Sequence, residues 1–331
     1  MTSATLTPCA RDAHTDTGSR TGGGNRTQAL TTTVPREYVH RTAVSEVLLT
    51  GWWRGRRDSW VVSAQWPRAH SFYGPVHGLH DPVLLIETMR QAGILLSHVA
   101  NGVPLDHPII WQKVRYDLSP QALRAGPAPA EVLLHITEHD VVRRGKRLVS
   151  VRQEFRIICD GAELATSMLD FSCHSPAVYR RLRGEYSDLA LANSRRLPLP
   201  EAVAPQLVAR EHERDVVLSP TDRPDRWQLR VDTSHPVLFD HPVDHAPGML
   251  MVEAARQAAQ ATTPGFTLPV SVECSFERYA EMDAPIHVQA RTTGGAATAR
   301  HTADGRQEVE VAIEQHDQPV LTARIVGVPM P

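Results

Sequence analysis

The chain has 331 residues, enough for two domains of ordinary size that each bury a core. Apolar residues make up 41% and charged residues 22%, with a formal net charge of −2, so nothing global draws the chain to nucleic acid or to an anionic membrane. The four cysteines, Cys9, Cys159, Cys173 and Cys274, have no C-x-x-C spacing, which argues against a zinc site or a disulfide framework and for a reducing cytoplasm.

Residues 1–34 are rich in Thr, Ser and Gly and lack the apolar surface that offsets ordering entropy; they read as a disordered leader without a secretory signal. Residues 38–50 start polar and end in the apolar run Glu46-Val47-Leu48-Leu49-Thr50, a candidate strand or short edge segment. Residues 58–66 alternate, with Trp60, Val62, Ala64 and Trp66 on one face, which predicts a strand. After a loop rich in Pro, His and Gly, Asp81-Pro82 supplies a helix N-cap and a proline at the first helical position. The stripe Leu85, Met89, Ala92, Leu96 and Val99 carries that helix to about Ala100, where Asn101-Gly102 stops it. The stretch 83–100 contains Glu87, Arg90 and Gln91, which a lone transmembrane span would not tolerate cheaply.

Strands are predicted at 109–116, 131–142, 147–159 and 163–173, with hairpin turns at 143–146 and at Asp160-Gly161. Residues 175–205 are charged, punctuated by proline and weakly periodic, a linker. The second half repeats the order. A strand at 226–231 leads to a His-, Pro- and Asp-rich loop at 235–246. Pro247-Gly248 opens a helix that ends before Pro264-Gly265, and strands follow at 269–279, 286–293, 296–301, 308–316 and 320–328.

The repetition is legible residue by residue. Glu87-Thr88-Met89-Arg90-Gln91-Ala92 returns 166 residues later as Glu253-Ala254-Ala255-Arg256-Gln257-Ala258, and Leu84 matches Leu250 at the same offset. One long helix followed by an antiparallel meander has an evident packing solution, a sheet curled around the helix. The expected organisation is α+β: a leader at 1–34, a first repeat at 35–175, a linker at 176–205 and a second repeat at 206–331.

A mostly buried helix carries Glu and Arg only if they are paired or face a cleft. Glu87 with Arg90 and Gln91, and Glu253 with Arg256 and Gln257, have the i, i+3 and i, i+4 spacings that place each trio on one face. Two readings stay open: an internal ion pair, or a base and an anion-holding cation beside a cleft between the halves. The loop Asp240-His241-Pro242-Val243-Asp244-His245-Ala246-Pro247-Gly248 brings two His and two Asp to a helix start, where free N–H groups stabilise an oxyanion. Its first-half counterpart has His77 and His80, but Pro75 stands opposite His241, so the halves are not chemically equivalent. His77 and His80 have no carboxylate or Cys partner at a convincing ligand spacing, and no metal site is expected. Neither a phosphate-binding Gly-rich loop nor a G-x-S-x-G element is present.

The segment from His241-Pro242 through Pro247-Gly248-Met249-Leu250 to Glu253 and Gln257 resembles the hotdog-fold 3-hydroxyacyl-ACP dehydratases. In this chain, however, Pro follows His241 directly, the stretch to Glu253 is shorter and Arg256 precedes the Gln. A closer resemblance is to the A-factor biosynthesis (AfsA-like) family, the γ-butyrolactone-type signal synthases of actinomycetes. It is carried by Val39-His40-Arg41, Glu46-Val47-Leu48-Leu49-Thr50, the run from Ala64 to Tyr73, His80-Asp81-Pro82, the Glu87–Gly93 helix motif, residues 240–258, and Ser275-Phe276-Glu277-Arg278-Tyr279-Ala280-Glu281.

That resemblance implies two tandem hotdog repeats, a pseudo-dimer within one chain. It implies transfer of a β-ketoacyl group from acyl carrier protein to the hydroxyl of dihydroxyacetone phosphate, the first step to a butenolide, furan or γ-butyrolactone signal. No cofactor is needed. On this reading Glu253, with Glu87 as its partner or relic, is the general base. His241 and Asp240 orient or relay the proton, and the helix start near Gly248 holds the thioester oxyanion. Arg90 or Arg256 holds the acceptor phosphate. Gln91, Gln257, His245 and His80 complete the expected substrate contacts. The competing expectations are a dehydratase or thioesterase on the same fold, which needs no phosphorylated acceptor, and a non-catalytic acyl- or lactone-binding module.

Overall fold

The computed structural model describes residues 32–56, 58–293 and 305–330. The expected leader up to residue 31, Cys9 and the strand expected at 296–301 lie outside the described residues.

The first half contributes β1 (Leu49–Arg54), β2 (Trp60–Trp66), helix α1 (Pro82–Val99), β3 (Ile109–Leu118), β4 (Ala130–Arg144), β5 (Arg147–Cys159) and β6 (Ala162–Cys173). Two short helices follow, α2 (Pro176–Arg183) and α3 (Leu189–Ser194). The second half contributes β7 (Leu218–Pro220), β8 (Arg226–Leu229), helix α4 (Gly248–Thr262), β9 (Thr267–Phe276), β10 (His287–Thr292), β11 (Gln307–Gln315) and β12 (Gln318–Pro329). All the strands join one twelve-stranded sheet in the order β1-β2-β4-β5-β6-β3-β9-β12-β11-β10-β8-β7. The order is a palindrome. Each strand of the first half has its counterpart at the mirrored place, and β3 pairs antiparallel with β9 at the centre, with Val114 opposite Cys274 and Tyr116 opposite Val272.

Each half buries one helix. In α1 every residue but Arg90 and Val99 is buried, and in α4 every residue but Gly248, Ala261 and Thr262. Side-chain size sets the approach. A Cβ on Gly93 would come within 3.0 Å of Leu169 Cδ2 and 3.2 Å of Gln153 Oε1, so a larger residue there requires these packed side chains to give way. In α4 the buried Ala254, Ala255, Ala258 and Ala259 do the same work. Asp81 caps α1 as expected, its Oδ1 accepting from Val83 N at 2.8 Å. The α4 start differs: its N-cap is Pro247, and no side chain caps it. Asp160 (φ 48°) and Gly161 (φ 83°) make the β5–β6 turn with both central residues left-handed, the geometry that a two-residue hairpin requires.

Residues 38–50 depart from the expected strand. Two 3-10 turns, Arg36–Val39 and Val44–Glu46, precede β1, which begins at Leu49, and the Leu48 carbonyl already accepts from Gln65 N at 2.9 Å. The Leu48 N–H is taken by the Gln91 side chain at 2.9 Å, so α1 claims the donor while the carbonyl stays with β2. Residues 176–205 also contain more structure than a linker: Ser175 and Asp188 cap α2 and α3. No described helix is long and apolar enough to cross a membrane.

Candidate active site

The two glutamates that the sequence marked as bases are buried and fully engaged. Glu87 Oε1 accepts from Arg41 Nε (3.1 Å), Arg90 Nη2 (2.9 Å) and Gln91 Nε2 (2.7 Å), and its Oε2 accepts from Arg90 Nε at 2.8 Å. Glu253 repeats the pattern with Arg210 Nε (2.9 Å), Arg256 Nη2 (2.7 Å), Gln257 Nε2 (2.6 Å) and, at Oε2, Arg256 Nε (2.9 Å). Burial alone would raise both carboxyls, but the paired guanidiniums win and hold each at about 2. A carboxylate with its oxygens occupied and so weak a basicity is a poor proton acceptor at neutral pH. The geometry therefore favours the internal ion pair over the general base for Glu87 and Glu253, because each sits between two arginines with no face turned to solvent.

The glutamines are equally internal. Gln91 accepts from Leu48 N and donates to the Glu46 carbonyl, while Gln257 accepts from Val217 N and donates to the Asp215 carbonyl. Each tacks its helix to the chain entering the first strand of its half. The arginines also cross between halves. Arg41 Nη1 donates to the Val237 carbonyl at 3.0 Å and Arg210 Nη1 to the Phe72 carbonyl at 2.9 Å. The exchange is reciprocal, as at the interface of a two-fold dimer. The His70–Glu46 contact (3.3 Å) and the His235–Asp215 contact (3.4 Å) are a further matched pair.

A cleft of about 710 Å³ opens between the halves on one side of the molecule. One wall is Arg90 and Ile94 of α1 with His40 and Arg41; another is the 237–249 loop and helix start; Ile109 and Trp111 of β3, Phe276 of β9, and Tyr179 and Leu182 of α2 complete it. Of the expected site residues, the structure brings Arg90, Asp240, His241, His245 and Gly248 to this cleft. Glu87 and Gln91 lie behind it. Glu253, Arg256 and Gln257 belong to the other half's ion-pair cluster. His80 is buried against Trp66, ring centroids 5.3 Å apart, and burial lowers its pKa; it does not line the cleft.

The loop holds two carboxylate–imidazole pairs. Asp240, fixed by the Thr42 and Ala43 N–H groups, reaches His241 Nδ1 at 3.2 Å. Asp244 reaches His245 Nδ1 at 2.6 Å and also accepts from the Tyr179 hydroxyl at 2.6 Å. Arg183, buried at the end of α2, donates to the Asp244 carbonyl at 3.1 Å, pairs with Glu281, and stacks 4.0 Å from the Tyr279 ring centroid. The segment between the repeats thus orders the second pair. Asp244 stays ionised: burial would raise its pKa, but hydrogen bonds from His245 and Tyr179 lower it below the ordinary value. An imidazole donating Nδ1–H to that carboxylate keeps its lone pair on Nε2.

Sequence reasoning did not single out His40 as a site residue. Its Nε2 lies 2.9 Å from His98 Nε2, and His98 Nδ1 donates to the Val103 carbonyl at 2.7 Å. The chain of bonds requires His40 Nε2 to carry the proton, which leaves Nδ1 as an acceptor on a ring that lines the cleft. Burial, His98 and Arg90 lower its pKa to about 3. The signal was present in the sequence: Val39-His40-Arg41 recurs as Val208-Ala209-Arg210, with His40 (φ 50°) and Ala209 (φ 51°) in the same left-handed backbone and the imidazole on one side only.

The equivalent place beside Arg256 and Gln260 is nearly filled, a pocket of about 10 Å³, and nearby His77 and Phe266 stack with centroids 4.6 Å apart. Among the described residues, no group of three or more His, Cys, Asp or Glu converges to hold a metal ion. Burial pushes the Cys159 and Cys274 thiols to about 12 and Cys173 to about 11, so none is poised as a nucleophile.

Residues 24–175 and 191–331 both match the model of the A-factor biosynthesis hotdog domain. The chain belongs to the A-factor biosynthesis hotdog family. The palindromic sheet is its tandem hotdog repeat. Within the family, the chain is 46% identical over 297 residues to a 2-oxo-3-(phosphooxy)propyl 3-oxoalkanoate synthase of Streptomyces virginiae, covering 89% of this chain and 98% of that protein. A protein of the same name from Streptomyces coelicolor is 37% identical over 271 residues, covering 81% and 85%. Among solved structures, a 12:0-ACP thioesterase from Umbellularia californica is similar with a TM-score of 0.46 and 12% identity over 82% of this chain and 94% of that one. A hotdog-fold protein of Alicyclobacillus acidocaldarius is similar with a TM-score of 0.44 and 14% identity over 90% and 100%. Neither structure bears on the chemistry.

Proposed function

We propose that this chain is an acyltransferase that moves a β-ketoacyl (3-oxoacyl) group from acyl carrier protein to the hydroxyl of dihydroxyacetone phosphate. The product name carried by the Streptomyces relatives describes that ester: a 3-oxoalkanoate joined to a 2-oxo-3-(phosphooxy)propyl group. The observation that carries the reading is the cleft itself, which combines an ordered Asp244–His245 pair with the cationic side chain of Arg90.

His245 Nε2 takes the acceptor's hydroxyl proton as the oxygen attacks the thioester carbonyl. The C–O bond forms, the C–S bond breaks, and the proton passes to the departing carrier thiolate. Asp244 balances the imidazolium, and Tyr179 holds Asp244. Asp240 and His241, on the same loop, orient the acceptor. Ile109, Trp111, Phe276 and Met251 offer apolar surface to the acyl chain. The transfer is balanced without oxidant or reductant. The ester closes intramolecularly to a phosphorylated butenolide with loss of water.

The test is consumption of a 3-oxoacyl carrier protein by the purified chain with and without dihydroxyacetone phosphate. Acceptor-dependent consumption is expected. Equal thioester cleavage without the acceptor would identify a thioesterase instead.

A further inference from the structure

The two halves differ at one place where their backbone and arginines coincide. The side with the cleft is the open half and its nearly filled counterpart the closed half; in the closed half, Asp81 bridges the first turn of α1 and the crossing Arg210. Its Oδ1 accepts from Val83 N at 2.8 Å and its Oδ2 lies 3.4 Å from Arg210 Nη1. In the open half the corresponding groups are Met249 N, 166 residues after Val83, and Arg41, which holds Glu87 as Arg210 holds Glu253 and makes the same cross-contact. The position matching Asp81 is Pro247, and Pro82 is matched by Gly248. So the open half has the guanidinium and the helix start without a carboxylate side chain from its own helix cap. Arg41 is buried and lines the cleft, and its described ion pair is with Glu87 alone. Asp240, the other carboxylate on that wall, is held by the Thr42 and Ala43 N–H groups.

We infer that the place between Arg41 and the first turn of α4 is an anion site that takes the phosphate of the acceptor, and that Asp81 is its internal mimic in the closed half. A carboxylate held by a peptide N–H and a guanidinium uses the same donors that bind a phosphate oxygen. Arg90 shares Glu87 with Arg41 and lines the same wall, so the phosphate meets two guanidiniums that share one directly bonded carboxylate, with Asp240 acting on Arg41 only through space. The α4 start then serves the phosphate and not the thioester oxygen expected there from sequence. This inference rests on the transfer reading for the identity of its ligand and on the twin halves for its position.

The experiment installs the mimic. Pro247→Asp places in the open half the carboxylate that the closed half already accommodates, and Pro247→Ala is the uncharged control. Binding of glycerol 3-phosphate is read by calorimetry without acyl donor, beside the thermal midpoint. Wild type and Pro247→Ala should bind alike, and Pro247→Asp should lose at least tenfold in affinity with an undiminished midpoint. Unchanged affinity in Pro247→Asp, or an equal loss in Pro247→Ala, would overturn the site. Should Pro247→Asp not fold, wild-type hydrogen exchange decides: glycerol 3-phosphate should protect the amides of residues 248–252, and no protection there refutes the proposal. The outcomes separate from those of the transfer reading. Ester formation with unaltered probe binding in Pro247→Asp sinks this site alone, whereas lost probe binding with no ester from wild type sinks the transfer alone.

Discussion

The Asp244 carboxylate and Nδ1 of His245 are 2.6 Å apart, and this adjacent pair is locked from outside its own loop by Tyr179 of α2. The proposed proton relay depends on each member differently. His245→Gln should lower kcat by roughly 10²–10⁴-fold, the usual contribution of general-base catalysis, with little change in thermal midpoint. Tyr179→Phe removes only the hydroxyl that holds Asp244, and a smaller loss of kcat with KM nearly unchanged is expected. Steady-state kinetics beside a melting curve checks both; wild-type turnover in His245→Gln would remove this residue from the chemistry.

Glu253→Gln should behave as a folding mutation. It leaves Arg210 and Arg256 buried without their shared counter-charge, and breaking a buried pair from one side costs about 3–5 kcal/mol. Chemical denaturation should show that loss, while activity per folded molecule stays close to wild type. A fully stable but inactive Glu253→Gln protein would restore the glutamate as the base.

The same clusters predict acid sensitivity with a definite sign. Glu87 and Glu253 fall from 4.5 to about 2 on folding. Their contribution is therefore present above pH 4.5 and is lost as pH falls toward 2, a matter of a few kcal/mol each on the order-of-magnitude scale of linkage. His40, lowered from 6.5 to about 3, adds a loss that begins higher, as pH falls below 6.5. Urea midpoints should decline from pH 6.5 downward and steepen below 4.5, and His40→Ala should flatten the upper part. A midpoint constant from pH 7 to 3 would contradict the ion-pair account.

Gly93→Ala should destabilise the fold by about 1–3 kcal/mol, the usual cost of overpacking, because its Cβ would meet Leu169 at 3.0 Å. Thermal unfolding measures it, and a gain in midpoint from improved helix propensity would show that α1 has room to shift.

The legible part of this molecule was what repeats along one helix. Asp81-Pro82 and Pro247-Gly248 marked both helix starts, and the 166-residue offset exposed the duplication. The longer strands were readable because their apolar alternation is local. What sequence could not settle was the role of Glu87 and Glu253, since their fate depends on Arg41 and Arg210, which lie 46 and 43 residues away in the chain. Those arginines repeat at an offset of 169, so a search at one register misses them. The Tyr179–Asp244 bond was hidden for a different reason: residues 176–205 form helices too short to leave a periodic signature, and Arg183 fixes them by tertiary contacts with Glu281 and Tyr279. Asp240, His241 and His245 could be singled out because the sequence gathers titratable groups just before a helix start, and the fold brings all three to the cleft.

The most direct measurement is the mass of what the purified chain makes from a 3-oxoacyl carrier protein and dihydroxyacetone phosphate. The account predicts a phosphorylated 3-oxoacyl ester, with its dehydrated butenolide, formed in step with free carrier thiol. Release of the free 3-oxo acid with dihydroxyacetone phosphate recovered intact would contradict it.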